Sequence, residues 1–219
     1  MKLPHHKKLD LKKVGNMSTP SYEEFLKGCS EFEKNEKRDA MYKVATFLVS
    51  KFWGKYSDIA DGLGVLLLTW NNAFYRYGIF NFDKLEKILI KNFKKIENFR
   101  KRDIFSLSDR DEIDIKQLFN EFLNALQIDS GKKKGVKSPV AVAKVLHILA
   151  PSFFPLWDDK IARGYGCYYN NHPAEKYFSF CIIIKDIAVK VKNYINKSDK
   201  TLIKLIDEYN YSKYTKKWI

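Results

Sequence analysis

From Ser21 onward the apolar residues recur at intervals of three and four, segment after segment, and alternation of period two is scarce. That periodicity predicts helices. Tyr22, Phe25, Cys29 and Phe32 follow a Ser21/Glu24 capping pair, and Met41, Val44, Ala45, Leu48 and Phe52 lie on a segment that stops at Gly54. Residues 57–77 form a strongly apolar helix with Gly78 as its C-cap, and Asn81 caps a helix whose face is Phe82, Leu85, Ile88, Leu89 and Phe93. Ser108 opens 109–127, with Ile115, Leu118, Phe119, Phe122 and Leu126 inward. Ser138-Pro139 reads as an N-cap followed by proline at the first helical position, and Pro151 stops that helix. Short and long helices follow from Asp158 and from Pro173 to about Ile195, and Ser198 caps a last one to about Tyr209. The run Cys181–Ile184 is ambiguous between helix and strand. The expected fold is all-α, a bundle of eight or more helices in one or two lobes, with residues 1–17 a flexible basic tail and 18–219 a single helical domain.

Composition narrows the partners. Apolar residues are 45 % of the 219, enough for a packed core, while 40 Lys and Arg against 26 Asp and Glu leave a formal charge of +14. The excess lies in the N-terminal tail, around Lys84 to Arg102 and over residues 181–219, with a smaller run at Lys132-Lys133-Lys134-Gly135-Val136-Lys137. A surplus of this size favours a polyanion, most often nucleic acid, because phosphate contacts release counterions; a solvated lysine-rich surface has the same composition. The longest apolar runs, such as Val65–Leu68, fall far short of the ~20 residues that span a bilayer, and no apolar stretch follows the first lysines as in a secretory signal. The expectation is therefore a cytoplasmic protein with no membrane partner. Cys29, Cys167 and Cys181 are odd in number and share no metal-ligand spacing, and His5 and His6 lack a third ligand, so neither a disulfide framework, a metal nor another cofactor is expected.

Chemistry concentrates in residues 131–166, GKKKGVKSPVAVAKVLHILAPSFFPLWDDKIARGYG. A Gly- and Lys-rich loop precedes a helix, an arrangement that can turn backbone N–H groups toward a phosphate while Lys132, Lys133, Lys134 and Lys137 add charge. The connector Phe153-Phe154-Pro155-Leu156-Trp157 is too apolar for a surface and should be pinned in the core, holding Asp158 and Asp159 at the start of the next helix. Asp158 suits an N-cap, accepting backbone N–H bonds, and equally a carboxylate placed to act on a ligand.

Trp157-Asp158-Asp159-Lys160-Ile161-Ala162-Arg163 resembles the V-D-T-H-(apolar)-x-R motif of the helix-hairpin-helix base-excision DNA glycosylases, the superfamily of endonuclease III and the 8-oxoguanine glycosylases. Gly135-Val136-Lys137-Ser138-Pro139 resembles a degenerate form of that family's L-P-G-V-G-x-K-T-A hairpin, and Leu66-Leu67-Leu68-Thr69-Trp70-Asn71-Asn72 is similar to its apolar helix ending in a polar wedge. The three landmarks fall in the family's order over residues 63–166. The resemblance implies a helix-hairpin-helix fold, DNA as partner and release of a damaged base flipped from the duplex. It places Asp158 as the catalytic carboxylate, Lys132, Lys133, Lys134, Gly135, Lys137 and Arg163 on the nucleic acid, and Trp70, Asn71, Asn72 and Trp157 as pocket or wedge. The second hairpin glycine and the T-A pair are replaced, Asp159-Lys160 stands where the family has T-H, and no lysine aligns with the lyase nucleophile, Lys144 falling one turn too late. The implied activity is thus monofunctional base release without strand cleavage. Lys144, Leu146, His147, Leu149, Pro151, Phe154, Pro155, Trp157 and Asp158 also resemble a pattern in a group of uncharacterised prokaryotic proteins, which imports no activity. The alternative function is a non-catalytic nucleic-acid-binding or regulatory helical protein.

Outside this stretch, Asn71 and Asn72 read either as stacking and wedge groups or as polar residues over a core edge. Trp70 and Trp157 read as pocket or core, and His147, mid-helix among apolar residues, as a satisfied core histidine. Tyr165, Tyr168, Tyr169, Asn170, Asn171 and His172 form a polar aromatic loop. Lys213, Tyr214, Lys216, Lys217 and Trp218 interleave basic and aromatic residues as single-strand binders do, and as a frayed terminus also would.

Overall fold

The structure, a computed structural model, describes residues 19–194 and 198–219. The tail 1–17 with His5 and His6 lies outside the described residues. Among the described residues, ten α-helices and one two-stranded ribbon make an all-α, multi-helix fold. The helices are α1 (Tyr22–Asn35), α2 (Ala40–Lys51), α3 (Tyr56–Trp70), the single turn α4 (Asn72–Tyr75), α5 (Phe82–Arg100), α6 (Glu112–Ala125), α7 (Pro139–Leu149), α8 (Asp159–Gly164), α9 (Pro173–Val191) and α10 (Leu202–Asn210). Strand β1 (Gly78–Ile79) pairs antiparallel with β2 (Ser130–Gly131), Gly78 opposite Gly131 and Ile79 opposite Ser130. A π-helical segment, Tyr211–Lys216, continues α10. No helix among the described residues is long and apolar enough to cross a membrane.

The caps follow the sequence closely. Side-chain oxygens of Ser21, Asn81, Ser138 and Asp158 each accept a backbone N–H in the first turn of α1, α5, α7 and α8. Ser108 and Asp111 complete a reciprocal capping box on the short 3-10 turn that leads into α6. The last helix is capped by Thr201, not Ser198, whose hydroxyl instead accepts the N–H of Lys200 in the preceding turn. Cys181–Ile184 lies within α9, where burial on most sides, and not strand pairing, accounts for the unbroken apolar run.

Residues 57–77 are not one helix. The chain breaks at Asn71, with φ −122° and ψ 31°, between α3 and α4, and Gly78 is a strand residue instead of a C-cap. Two side-chain bonds account for the break. Lys144 Nζ donates to the Trp70 carbonyl at 2.8 Å, and Asn71 Nδ2 donates to Ser138 Oγ at 3.3 Å. Gly78 is required by the ribbon, since a Cβ there would stand 2.2 Å from the Ser130 carbonyl oxygen.

The core is one continuous cluster running from Phe25 to Tyr209, with α7 at its centre. Every residue from Ala141 to Leu149 is buried, so this helix has no solvent face. His147 is satisfied inside it, as expected: Nδ1 lies 2.7 Å from the Phe154 carbonyl and Nε2 3.2 Å from the Tyr42 hydroxyl. Burial holds the ring neutral, its pKa pushed down to about 3. The connector after α7 is pinned as its composition predicted. Phe153, Phe154 and Leu156 are buried, the Pro155 carbonyl accepts the Tyr177 hydroxyl at 2.8 Å, and Trp157 Nε1 donates to the Pro139 carbonyl at 3.3 Å. The C-terminus is docked, not frayed: α10 and the π-helical segment pack on α1, and the Ser212 hydroxyl donates to the Gly28 carbonyl at 2.7 Å. Of the apolar positions read on α2, Ala45 is buried while Met41 and Val44 are exposed.

Trp157 packs against Phe119, Tyr169, Tyr177 and Phe180 and is 2 % exposed. Trp157→Ala should therefore cost about 3–5 kcal/mol, whereas Val44→Ser should stay within about 0.5 kcal/mol. Urea midpoints at unchanged slope check both values, and equal effects would contradict this assignment of core and surface.

Candidate nucleic-acid interface

The structure brings the basic loop and the end of the apolar helix to one corner. Residues 131–137 are all exposed, and the ribbon fastens them beside Arg76 and Tyr77. Lys132 N–H donates to the Tyr77 carbonyl at 2.9 Å. Two cations approach the Tyr77 ring, Lys133 Nζ at 4.8 Å and the Arg76 guanidinium at 4.7 Å from its centroid. Lys137 Nζ donates to Asn124 Oδ1 at 2.7 Å, and Lys84 neutralises Asp129, holding that carboxylate below its usual range. None of Lys132, Lys133, Lys134 and Lys137 has a carboxylate partner among the described residues, so their ammonium charge faces solvent.

Part of the loop's backbone is already bonded within the protein. Gly131 (φ 106°) and Gly135 (φ 86°) supply left-handed turns, and Gly135 N–H is spent on the Ile128 carbonyl at 2.7 Å. Val136 N–H bonds to the Lys133 carbonyl at 3.1 Å. Gly135 therefore shapes the loop without presenting its own N–H to a phosphate, and the lysine side chains are the charged groups that the loop offers. Asn71 is likewise spent, on Ser138, while Asn72 is exposed next to it.

Three further expected site residues lie elsewhere. Trp157 is core, because its ring is enclosed by four aromatic neighbours and its N–H by Pro139. Arg163 pairs with Asp159 at 3.0 Å and stacks over Tyr168 at 3.5 Å, so its guanidinium serves the α8 surface instead of the hairpin corner. Asp158 is half-buried with both carboxylate oxygens engaged: Oδ1 accepts Ile161 N–H at 2.8 Å and Oδ2 accepts the Thr215 hydroxyl at 2.5 Å. It caps α8 and ties it to the C-terminal π-helical segment.

A second concavity involves residues the sequence reading passed over. A cavity of about 530 Å³ opens between the α1–α2 connection, the end of α3 and α10. Trp70, half-exposed, lines it, together with Lys204 and Asp207 of α10. Lys204 is 2 % exposed in its side chain and reaches Asp39 at 3.0 Å, Asp207 at 3.6 Å and Glu208 at 3.7 Å. Spacings of three and four set Lys204, Asp207 and Glu208 along one helix, and every residue from Ile203 to Asn210 is buried, so this part of α10 has no solvent side. Lys144, on the far side of Trp70, has its amine pushed down to about 8, chiefly by burial.

Comparisons with family models, with curated proteins and with solved structures find no match to this chain.

Burial pushes the Asp207 carboxyl up to about 6, Lys204 opposing and Glu208, Asp158 and Asp39 adding to the shift. Its unfolded counterpart ionises near ~3.9, so between pH 4 and 6 the folded state holds a proton that the unfolded state has lost. The wild type thus loses stability relative to Asp207→Asn as pH rises from about 4 through the folded value near 6, by up to roughly 3 kcal/mol, levelling off above about pH 7. Paired denaturation curves at pH 4, 5, 6 and 7 measure the difference, and a gap that stays constant would contradict the placement of Asp207.

Proposed function

We propose that this chain is a nucleic-acid-binding protein that works without covalent chemistry at Asp158 and docks through the hairpin corner of Lys132, Lys133, Lys134 and Arg76 around Tyr77. The observation that carries this reading is the ribbon itself. It holds unpaired ammonium groups and an exposed aromatic ring in one rigid patch, where phosphates meet the charges and a base meets the ring. DNA is the favoured polymer on the strength of the helix-hairpin-helix resemblance, since α6, the hairpin, α7 and a capped α8 follow in that order. Single-stranded segments suit Tyr77 better than a closed duplex, whose bases do not offer a free face.

Base release is the second reading. It is favoured by Asp158 keeping its place at the head of α8 beyond the hairpin, and weakened because both oxygens are already bonded. An oxocarbenium-like sugar or an attacking water would have to use a remaining lone pair of an oxygen already bonded to Ile161 N–H or to the Thr215 hydroxyl.

Fluorescence anisotropy with labelled single strands and duplexes, run across salt concentrations, tests the binding reading. The affinity should fall steeply as salt rises, and replacing Lys132, Lys133 and Lys134 together by Ala should reduce the log–log salt slope by about 2–3. No binding at low salt, or an unchanged slope in the triple variant, would remove the hairpin from the interface. A panel of damaged duplexes separates the two readings. The first predicts no released base, whereas release abolished by Asp158→Asn would establish the second.

A further inference from the structure

The cavity beside α10 carries three kinds of surface that belong together in one ligand. Its rim is basic: Lys34, Lys37 and Arg38 are exposed, and among the described residues Lys37 and Arg38 have no carboxylate partner. Its walls include the Trp70 and Tyr211 rings. Its floor is acidic. Asp207 is 9 % exposed, lines the cavity and accepts no hydrogen bond from any described residue, its nearest cation being Lys204 Nζ at 3.6 Å. Lys204 is itself shared with Asp39 at 3.0 Å, so the two carboxylates of the floor, Asp39 and Asp207, have one buried ammonium between them, while Glu208 behind them takes Lys200 at 3.0 Å. A carboxylate this enclosed is costly unless hydrogen-bonded, and the cavity is the open side from which a donor can arrive.

We propose that this cavity binds a single nucleotide, with Asp207 accepting hydrogen bonds from the donor edge of the base, Trp70 and Tyr211 flanking the ring, and Lys37 and Arg38 meeting the phosphate. Guanine fits the floor best, because its N1–H and 2-amino donors lie side by side and match the two acceptor oxygens of a carboxylate. Cytosine and adenine offer an amino group without that pairing, and uracil offers only one ring N–H. The volume of about 530 Å³ lies within the roughly 300–1,000 Å³ range of small-molecule sites. The same chemistry is presented by a free nucleoside monophosphate and by one nucleotide of a strand. The site uses none of the hairpin lysines and stands whether or not the hairpin corner binds nucleic acid.

The protonation of Asp207 supplies a second signature. Groups facing it are Lys204 and Glu208 on its own helix, Asp39 from the α1–α2 connection, Asp158 at the head of α8 and Lys144 on α7. With its carboxyl raised to about 6, the acceptor is ionised at pH 7.5 and protonated at pH 5. Guanine affinity should fall across that interval, and uracil should respond much less.

Calorimetric titration of the full-length protein with GMP, CMP, AMP and UMP at low salt, and with guanine- or uracil-containing trinucleotides, tests the proposal. GMP or its trinucleotide should bind about ten- to a hundredfold more tightly than the uracil counterpart, and the tighter of the two identifies the source. Asp207→Asn should erase that preference while the thermal transition persists. Lys37→Ala with Arg38→Ala should erase the advantage of GMP over guanosine and leave base preference intact. Replacing Lys132, Lys133 and Lys134 by Ala should leave mononucleotide binding unchanged, which separates failure here from failure of the hairpin reading. No binding of any nucleotide, equal binding of GMP and UMP, or a preference that survives Asp207→Asn would overturn the proposal.

Discussion

Two polar side chains on a helix with no solvent face hold this molecule in register. α7 is buried on all sides from Ala141 to Leu149, so Lys144 and His147 had to find partners inside the protein. Lys144 gives its ammonium to the last carbonyl of α3 and lies 4.5 Å above the Trp70 ring, while His147 ties the following connector and Tyr42 of α2 to the same helix. A buried ammonium without those partners would cost more than a lost bond, because the charge itself would be stranded. The end of α3, the turn at Asn71, the ribbon behind it and the connector ahead of Asp158 are all positioned from α7.

That dependence explains which parts of the fold were legible in the sequence. Caps are local: Ser21, Asn81, Ser138-Pro139 and Asp158 each need only the next three residues, and each sits where the sequence placed it. The break at Asn71 is not local, since Lys144 and Ser138 impose it from far along the chain and the apolar period runs through it without interruption. The ribbon has the same origin. Two residues per strand leave no alternation to read; the ribbon needs glycine at both 78 and 131, and Gly78 at the end of an apolar period looks the same as a helix C-cap. Met41 and Val44 show the converse limit, because a helical stripe marks what a helix can bury and not how much its neighbours cover.

The charge divides in a similar way. The lysines at 132–134 were legible as a cluster because they are adjacent in sequence, and the ribbon adds only their neighbours Arg76 and Tyr77. Asp158 was legible as a position but not as a state, for its second oxygen is taken by Thr215, brought back by a C-terminal segment whose composition matches a frayed tail. Asp207, Lys204 and Asp39 were not legible as a group. Asp39 reaches Lys204 from the connection between α1 and α2, and only the packing of α10 against α1 places them together. Part of the basic excess is therefore internal or paired, Lys204 being buried and Lys213 bonded to Glu24 at 2.6 Å, and the net charge overstates what a polyanion meets.

The two concave and basic features share one structural joint. Trp70 ends α3 as a wall of the Asp207 cavity, and Asn71, the next residue, is fastened to Ser138 at the base of the hairpin loop. The Trp70 carbonyl is held by Lys144 of α7, and Ser138, to which Asn71 donates, also caps α7 with its hydroxyl. Coupling between separated sites requires a physical element whose arrangement both can bias, and the α3–α4 turn is placed to be that element. Its bonds are few and directional, a 2.8 Å ammonium–carbonyl contact and a 3.3 Å amide–hydroxyl contact, set between two helices packed far more firmly than the turn itself. A change at the turn would disturb these two bonds, whereas repacking α3 or α7 would open voids in the core.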